Sequence, residues 1–337
     1  MDPVTALRRI AYLLERDGAE SYKVRAFRTA AAAVSELPAD ELATMSPALL
    51  QKIPGIGKTS AQVIIDAAHG TTPAYLEKLE SADQPVMSAE ASRLLGLLQG
   101  DCHSHSDWSD GGSPIREMAE AAMEIGHRYW ALTDHSPRLT IAHGLDADRL
   151  RQQLDIVADL NAELAPFRIL TGIEVDILED GTLDQDAELL AQLDVVVASV
   201  HSKLRMDAPE MTARMLRAVR SPHTDVLGHC TGRILVGRGR PQSTFDAEAV
   251  FGACAETGTA VEINSRPERL DPPEPLLSLA LSVGCVVVVD TDAHAPGQLE
   301  WQRHGCEQAA RAGVPVDRVM NALPMEDFLA WTASHAA

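Results

Sequence analysis

The sequence predicts an α/β protein, with seven parallel strands in a barrel or doubly wound sheet preceded by an all-α N-terminal domain. Three observations carry this. Short apolar or β-branched runs recur at 98–102, 129–133, 168–173, 195–200, 225–228, 259–263 and 285–290. Segments of helical periodicity lie between them, at 114–125, 146–164, 187–193, 209–219, 247–256 and 275–283, and strand alternating with helix is the pattern of parallel sheets. Residues 1 to about 70 hold no strand-like run. They show apolar positions at helical spacing (Leu7, Ile10, Ala11, Leu13, Leu14) and an alanine-rich stretch from Ala30 to Val34.

Composition sets the outer bounds. At 337 residues and 45% hydrophobic side chains, the chain is long enough for one large or two ordinary domains with their own cores. Residues 1–85 carry nine basic and eleven acidic side chains against 20 and 38 in the remainder, so the acidity belongs to the second part. We therefore expect a helical domain over 1–70, a helical connector over 71–97 and an α/β domain over 98–337. A net charge of −20 excludes a nonspecific basic coat, so any polyanion must be engaged locally. Five cysteines without paired close spacing, at 102, 230, 254, 285 and 306, and an opening MDPVTALRRI unlike a signal peptide point to the reduced cytoplasm. No apolar run approaches the roughly 20 residues that span a bilayer, so no membrane association is expected.

Histidines and carboxylates fall at the C-terminal ends of the expected strands. His103 and His105 end the first, His135 the second, Glu174 the third, His201 the fourth, His229 the fifth, and Asp292 with His294 the seventh. In α/β barrels those ends converge on one face. Residues i and i+2 of a strand point the same way, so His103 pairs with His105 and Asp292 with His294, while Cys102 and Cys230 turn elsewhere. Imidazoles suit Zn, Mn or Fe, and carboxylates can bridge ions, so with Asp110 these nine residues exceed what one divalent ion needs. His69, His127, His143, His223, His304 and His335 lie in helices or loops and are read as structural.

The segments DCHSHSDWSDG, TDHS, TGIEVD, ASVHS, GHCTGR, EINSRPERLDP and DTDAH, in this order over residues 98–335, resemble the PHP superfamily of polymerase and histidinol phosphatase domains. Within it the chain is most similar to the PHP domain of bacterial family X DNA polymerases. The resemblance implies a distorted (β/α)7 barrel. It implies one ion on His103, His105, Glu174 and Asp292, a second on Glu174, His201 and His229, and a third on Asp110, His135 and His294. Glu174 would bridge, Asp107 is a weaker candidate than Asp110, and Glu174, Asp292 and His294 carry the catalytic roles.

The N-terminal segments AESYKVRAFRTAAAAV and IPGIGKTSAQVI resemble the helical domain that opens family X polymerases, the second as its helix-hairpin-helix motif. There Gly55 and Gly57 permit a tight hairpin, and the following helix offers free N–H groups to a DNA phosphate, with Lys58 and Lys52 adding charge. The string is not a nucleotide loop, because Lys52 stands where GxxxxGK[ST] requires glycine. Lys23, Arg25 and Arg28 form a basic helix edge facing solvent or DNA. Polymerase palm and fingers are missing, and Thr59 and Val63 stand where relatives place lyase lysines, so neither nucleotidyl transfer nor Schiff-base chemistry is expected.

Around the expected metals the loops carry Arg138, Lys203, Arg205, Arg233, Arg238, Arg240, Arg266 and Arg269. Guanidinium forks match phosphate, so Arg233, Arg266, Lys203 and Arg269 are the expected substrate contacts. The leading expectation is a phosphoesterase using two or three divalent ions on DNA, as 3′-5′ exonuclease, 3′-phosphatase or abasic-site endonuclease. The alternatives are a small-molecule phosphatase of the histidinol-phosphatase type and a DNA-binding repair accessory with structural metals. The sequence leaves the oligomeric state open.

Overall fold

Asp2 starts the first helix, α1 (Pro3–Arg16). Its carboxylate accepts from the Val4 and Thr5 amides at 3.0 and 3.1 Å, and Pro3 brings the fixed φ of a first helical residue. Buried Leu7, Ile10, Ala11 and Leu14 form the inner face, which packs on α2 (Ser21–Val34) and α5 (Lys58–Ala68). With α3 (Ala39–Thr44), α4 (Pro47–Leu50) and α6 (Ala74–Glu80) they make an all-helical unit, Met1–Val86, with which Pro296–Gln298 are grouped. Arg28 departs from the expected basic edge. It folds back on the buried Glu15, with Nε to Oε1 at 2.6 Å and Nη2 to Oε2 at 3.0 Å, leaving Lys23 and Arg25 exposed.

The second unit is Met87–Ala295 with the chain from Leu299 onward, and the computed structural model describes residues 1–335 in all. The segment 71–97 gives α6 to the first unit and α7 (Ala89–Leu95) to the second. Strands β1 (Gly100–Asp101), β2 (Tyr129–Leu132), β3 (Arg168–Asp176), β4 (Val195–Ser199), β5 (Val226–Leu227), β6 (Ala260–Asn264) and β7 (Val287–Asp290) pair in sequence order, each parallel to the next. Between them run α8 (Ile115–Glu124), α9 (Ala147–Leu164), α10 (Ala187–Leu190), α11 (Ala208–Val219), α12 (Ala247–Thr257) and α13 (Glu274–Val283). Beyond β1 and β7 the chain meets itself at a Ser104–Ala293 bridge, where the His105 amide donates to the Ala293 carbonyl at 2.7 Å. The result is a nearly closed seven-stranded barrel, as expected.

Two expected strands shrink to two-residue ladders because carboxylates replace backbone partners. Asp225 Oδ2 accepts from the Val196 amide and Asp290 Oδ1 from the Cys102 amide, both at 2.8 Å. Alternation along the strands divides the core. Ala131, Leu170, Val197, Ala260 and Val288 fill the barrel with Phe328, whereas Ile173, Val175, Val196 and Val261 pack outward with Met211, Met215 and Phe251. Phe328 belongs to α15 (Met325–Ala333) and stacks on Tyr129 at 5.2 Å between ring centroids. That helix and α14 (Gln302–Ala312) lie beyond the last expected helical segment, 275–283. All five cysteines are buried and unpaired, and among the described residues no helix is long and apolar enough to cross a membrane.

His127, between α8 and β2, is buried, and burial holds its imidazole down at about 4 despite the bond it donates to Gln302. Since this lies below the ordinary 6.5, the unfolded chain takes the proton first as pH falls. Stability present above pH 6.5 is lost on descending through 4, by up to about 3 kcal/mol. The denaturation midpoint of the unmodified protein should fall more steeply over that window than that of His127→Gln. Parallel curves would contradict this.

Candidate metal centre

Glu174 lies two residues inside the end of β3, which runs beyond the expected 168–173; every other expected ligand lies in the loop after a strand, and the barrel gathers their tips around Glu174. Glu174 Oε1 stands 3.1 Å from His201 Nε2 and 2.8 Å from His229 Nε2. Its Oε2 stands 3.3 Å from His103 Nε2, 3.5 Å from His105 Nε2 and 2.8 Å from His135 Nδ1. One carboxylate thus faces five imidazoles from four strand ends. Asp292 Oδ1 lies 3.5 Å from His105 Nε2, and Asp110 Oδ1 lies 3.4 Å from His135 Nε2 and 3.3 Å from His294 Nε2. Asp292 reaches inward from a left-handed backbone, φ 53°, a conformation that aspartate tolerates better than most side chains.

The donor atoms form overlapping sets, each within 4.8 Å: His103, His105 and Asp292; His103, Glu174 and His229; His135, Glu174 and His201; and His105, Asp110, His135 and His294. The set that the resemblance implies on Asp110, His135 and His294 lies within the last of these, the one it implies on His103, His105 and Asp292 lacks Glu174, and the one it implies on Glu174, His201 and His229 is divided between two sets. Asp107 is exposed and stands outside them.

Two observations show that the residues fit divalent ions. Donors on one ion at about 2.1 Å lie roughly 3.0–3.4 Å from one another, which is the spacing seen here. Moreover His103 Nε2, both His105 nitrogens, Glu174 Oε2 and the Nδ1 atoms of His135, His201 and His229 are buried without a hydrogen-bond partner among the described residues. Three of them, His103 Nε2, His105 Nε2 and His135 Nδ1, crowd around a fourth, Glu174 Oε2, at 2.8–3.5 Å, which is hard to reconcile with a purely structural polar cluster.

The electrostatics hold the carboxylates ionised and divide the imidazoles. Burial, with His294 and His135 alongside, lowers His105 to about 3, the neutral form a metal requires. Burial would also lower His201, but Glu174 and Asp176 outweigh it and push the imidazole up to about 9. Burial would raise the Glu174 carboxyl, yet His201, His103 and His135 hold it well below the carboxylate range. Asp292 is held down in the same way, against burial, by Arg266, His105 and Arg269.

Sequence reading missed the groups behind the ligands. Glu262 on β6 is fully buried. Its Oε1 meets His103 Nδ1 at 2.6 Å, and its Oε2 accepts from the His229 amide and, at 3.3 Å, from Asn264. Asp176 accepts from the His201 amide at 3.1 Å, and Asp134 holds the loop after β1 through the amide and hydroxyl of Ser106 at 2.8 and 2.6 Å. The missed signal was a gap: six strand ends carried an assigned residue and the sixth strand, β6, carried none.

A cleft of about 340 Å³ opens onto this centre, lined by Asp110, His294, Arg266, Arg269, Ile234 and Val236 among others. Arg266 Nη1 reaches the Asp292 carbonyl at 3.2 Å and His294 Nδ1 at 3.1 Å, and Arg269 Nε meets Asp292 Oδ2 at 3.1 Å. The other two expected substrate contacts stand elsewhere. Arg233 donates to the Arg269 carbonyl at 2.8 Å and to that of Leu270, because its loop turns it toward backbone rather than the cleft. Lys203 is exposed, at φ 53°, and outside the lining. His143 is likewise exposed and outside it.

In the helical unit, Gly55 (φ 89°) turns the chain between α4 and α5, and a Cβ there would stand 2.5 Å from Thr29 Cγ2. Gly57 is the N-cap of α5 and Lys58 its first residue; all three are exposed.

Comparison with known proteins agrees with both units. Residues 1–70 match the helix-hairpin-helix domain family, and residues 101–266 match the PHP domain family. The chain is 42% identical over 237 residues to the DNA polymerase/3′-5′ exonuclease PolX of Bacillus subtilis (strain 168), covering 70% of this chain and 41% of that protein. It therefore spans less than half of that relative's length. It is 28% identical over 233 residues to a protein named "Probable phosphatase" of Thermoanaerobacter sp. (strain X514), covering 66% and 89%. Among solved structures, histidinol phosphate phosphatase of Lactococcus lactis subsp. lactis aligns with a TM-score of 0.46 and 19% identity, over 64% of this chain and 94% of that one. The chain holds a helix-hairpin-helix domain over residues 1–70 and a PHP domain over residues 101–266.

Proposed function

We propose that this protein is a metal-dependent phosphoesterase that hydrolyses phosphate esters at DNA 3′ ends, as a 3′-5′ exonuclease before a 3′-phosphatase or abasic-site endonuclease. The observation that carries the reading is the pairing, in one chain, of the nine-residue centre with a helix-hairpin-helix hairpin. His103, His105, Asp110, His135, Glu174, His201, His229, Asp292 and His294 would hold two or three divalent ions of Mn, Zn or Fe. Ions so held supply a water that ionises near neutral pH and positive charge for the phosphoryl oxygens. Arg266 and Arg269 orient Asp292 and bring guanidinium charge to the phosphate entering the cleft. Gly55 and Gly57 shape the hairpin, and the first amides of α5 with Lys58 offer N–H groups and charge to a DNA phosphate, which localises polyanion binding on an otherwise acidic chain. The name of the Bacillus relative supports the exonuclease reading.

The test is hydrolysis of 3′-labelled, 3′-phosphorylated and abasic oligonucleotides by purified protein with Mn²⁺, with His103→Ala as the control. Release of 3′ nucleotides or phosphate, absent in the variant, is expected. Intact oligonucleotides beside rapid turnover of a small phosphomonoester would instead support a metabolite phosphatase, the reading favoured by relatives named as phosphatases of which the chain covers 89%.

A further inference from the structure

We propose that the hairpin Ile234–Arg240, at the mouth of the metal cleft, is an apolar wedge that parts the last base pair of a DNA duplex and delivers the unpaired 3′ strand to the centre. This rests on the reading of the site as one that acts on DNA.

The hairpin is built to hold its shape. Ile234 and Arg240 exchange backbone hydrogen bonds at 2.9 and 2.8 Å, and the Gly239 amide closes the tip on the Val236 carbonyl at 2.9 Å. Gly237 and Gly239 adopt φ of 63° and 65°, conformations that favour glycine. Its base is pinned from two sides. Arg240 Nε donates to the Gly232 carbonyl at 2.6 Å, and Arg233 donates to the Arg269 and Leu270 carbonyls. The Leu235 amide adds a bond to the Glu268 carbonyl at 2.7 Å.

What this rigid element displays is unexplained by folding. Leu235 and Val236 are each 52% exposed, side by side, while Ile234 and Val236 also line the cleft beside Arg266 and Arg269. Phosphate recognition has no use for such a tip, since the guanidinium groups and the metal centre already provide the charge. A nucleobase next to that phosphate does, because its faces are apolar. The tip carries no aromatic ring, so it is suited to displacing a base from the stack rather than to stacking on it, as leucine and isoleucine wedges do in DNA-bending proteins. Arg238, exposed at the tip and without an ion pair among the described residues, adds a cation for the adjoining backbone phosphate. The continuity of apolar tip, paired guanidinium groups and metal donors along one cleft specifies a polynucleotide terminus rather than a compact phosphate ester.

The test compares the unmodified protein with L235S/V236S and with the conservative L235M/V236I, each checked for thermal midpoint and metal content. The first readout is the ratio of hydrolysis rates on a blunt duplex and on the same strand alone, with Mn²⁺. The second is the fluorescence of 2-aminopurine at the 3′ terminus of a duplex whose last linkages are phosphorothioates. For L235S/V236S the ratio should fall about tenfold and the fluorescence rise on binding should vanish, while L235M/V236I retains both. An unchanged ratio, or an unmodified protein that degrades both substrates with no fluorescence rise, would overturn the wedge alone. A fluorescence rise with neither substrate degraded would overturn the phosphoesterase reading and keep the wedge. Absence of both would overturn both.

Discussion

Glu174→Gln is expected to remove activity on any phosphate ester by on the order of 10³-fold or more and to blunt the stabilisation that divalent ions confer. The reason is the position of this carboxylate: its two oxygens face five imidazoles, and it belongs to two of the four donor sets. An amide keeps the shape but loses the negative charge and one acceptor oxygen. His103 and His201, whose ring charges Glu174 supports, then lose their counter-charge. A ligand bound only by the folded state at one hundred times its dissociation constant stabilises by about 2.7 kcal/mol. Thermal melts with and without Mn²⁺ read this directly. The unmodified protein should show a large increment and the variant a much smaller one, with metal content by elemental analysis falling in parallel. A variant with full metal content and near-normal activity would sink the bridging role.

The site was legible where the chemistry coincides with the architecture. His103, His105, His135, Glu174, His201, His229, Asp292 and His294 stand out because imidazole and carboxylate are rare at strand ends in an apolar barrel, and parallel strands bring such ends together. The strands were legible because their apolar runs are short and bounded. Their lengths at β1 and β5 were not, since ladder bonds there pass to the Asp290 and Asp225 side chains, which no local pattern reveals. The arginines were the least legible. Spacing places Arg233 and Arg266 in loops near the cleft but does not say which carbonyl a guanidinium will meet, and Arg233 turned to the backbone of 269–270. The apolar tip at Leu235 and Val236 stands among those same arginines, whose charge dominates the local sequence.

Glu262 marks the other limit, because a buried carboxylate on a strand has no signature until the inward phase of that strand is known. Ala260 faces the barrel interior, and alternation then turns Glu262 and Asn264 inward as well. There Glu262 accepts from His103 Nδ1 at 2.6 Å, which fixes the tautomer with Nε2 aimed at Glu174. Groups that orient a metal ligand in this way are worth roughly 10–100-fold in metal affinity. Glu262→Gln is therefore expected to weaken binding of Mn²⁺ or Zn²⁺ by that factor, measured by competition with a chelating indicator, while folding is largely kept because the amide oxygen can still accept from the His229 backbone. Glu262→Ala should lose the metal and also cost about 1–3 kcal/mol of metal-free stability, since the His229 amide is left buried without an acceptor. Nitrogen NMR of the His103 ring separates orientation from simple packing. In the unmodified protein Nδ1 carries the proton, and in Glu262→Gln the tautomer should be mixed. Wild-type metal affinity and an unchanged tautomer in Glu262→Gln, with lost stability in Glu262→Ala, would leave Glu262 as a packing group and nothing more.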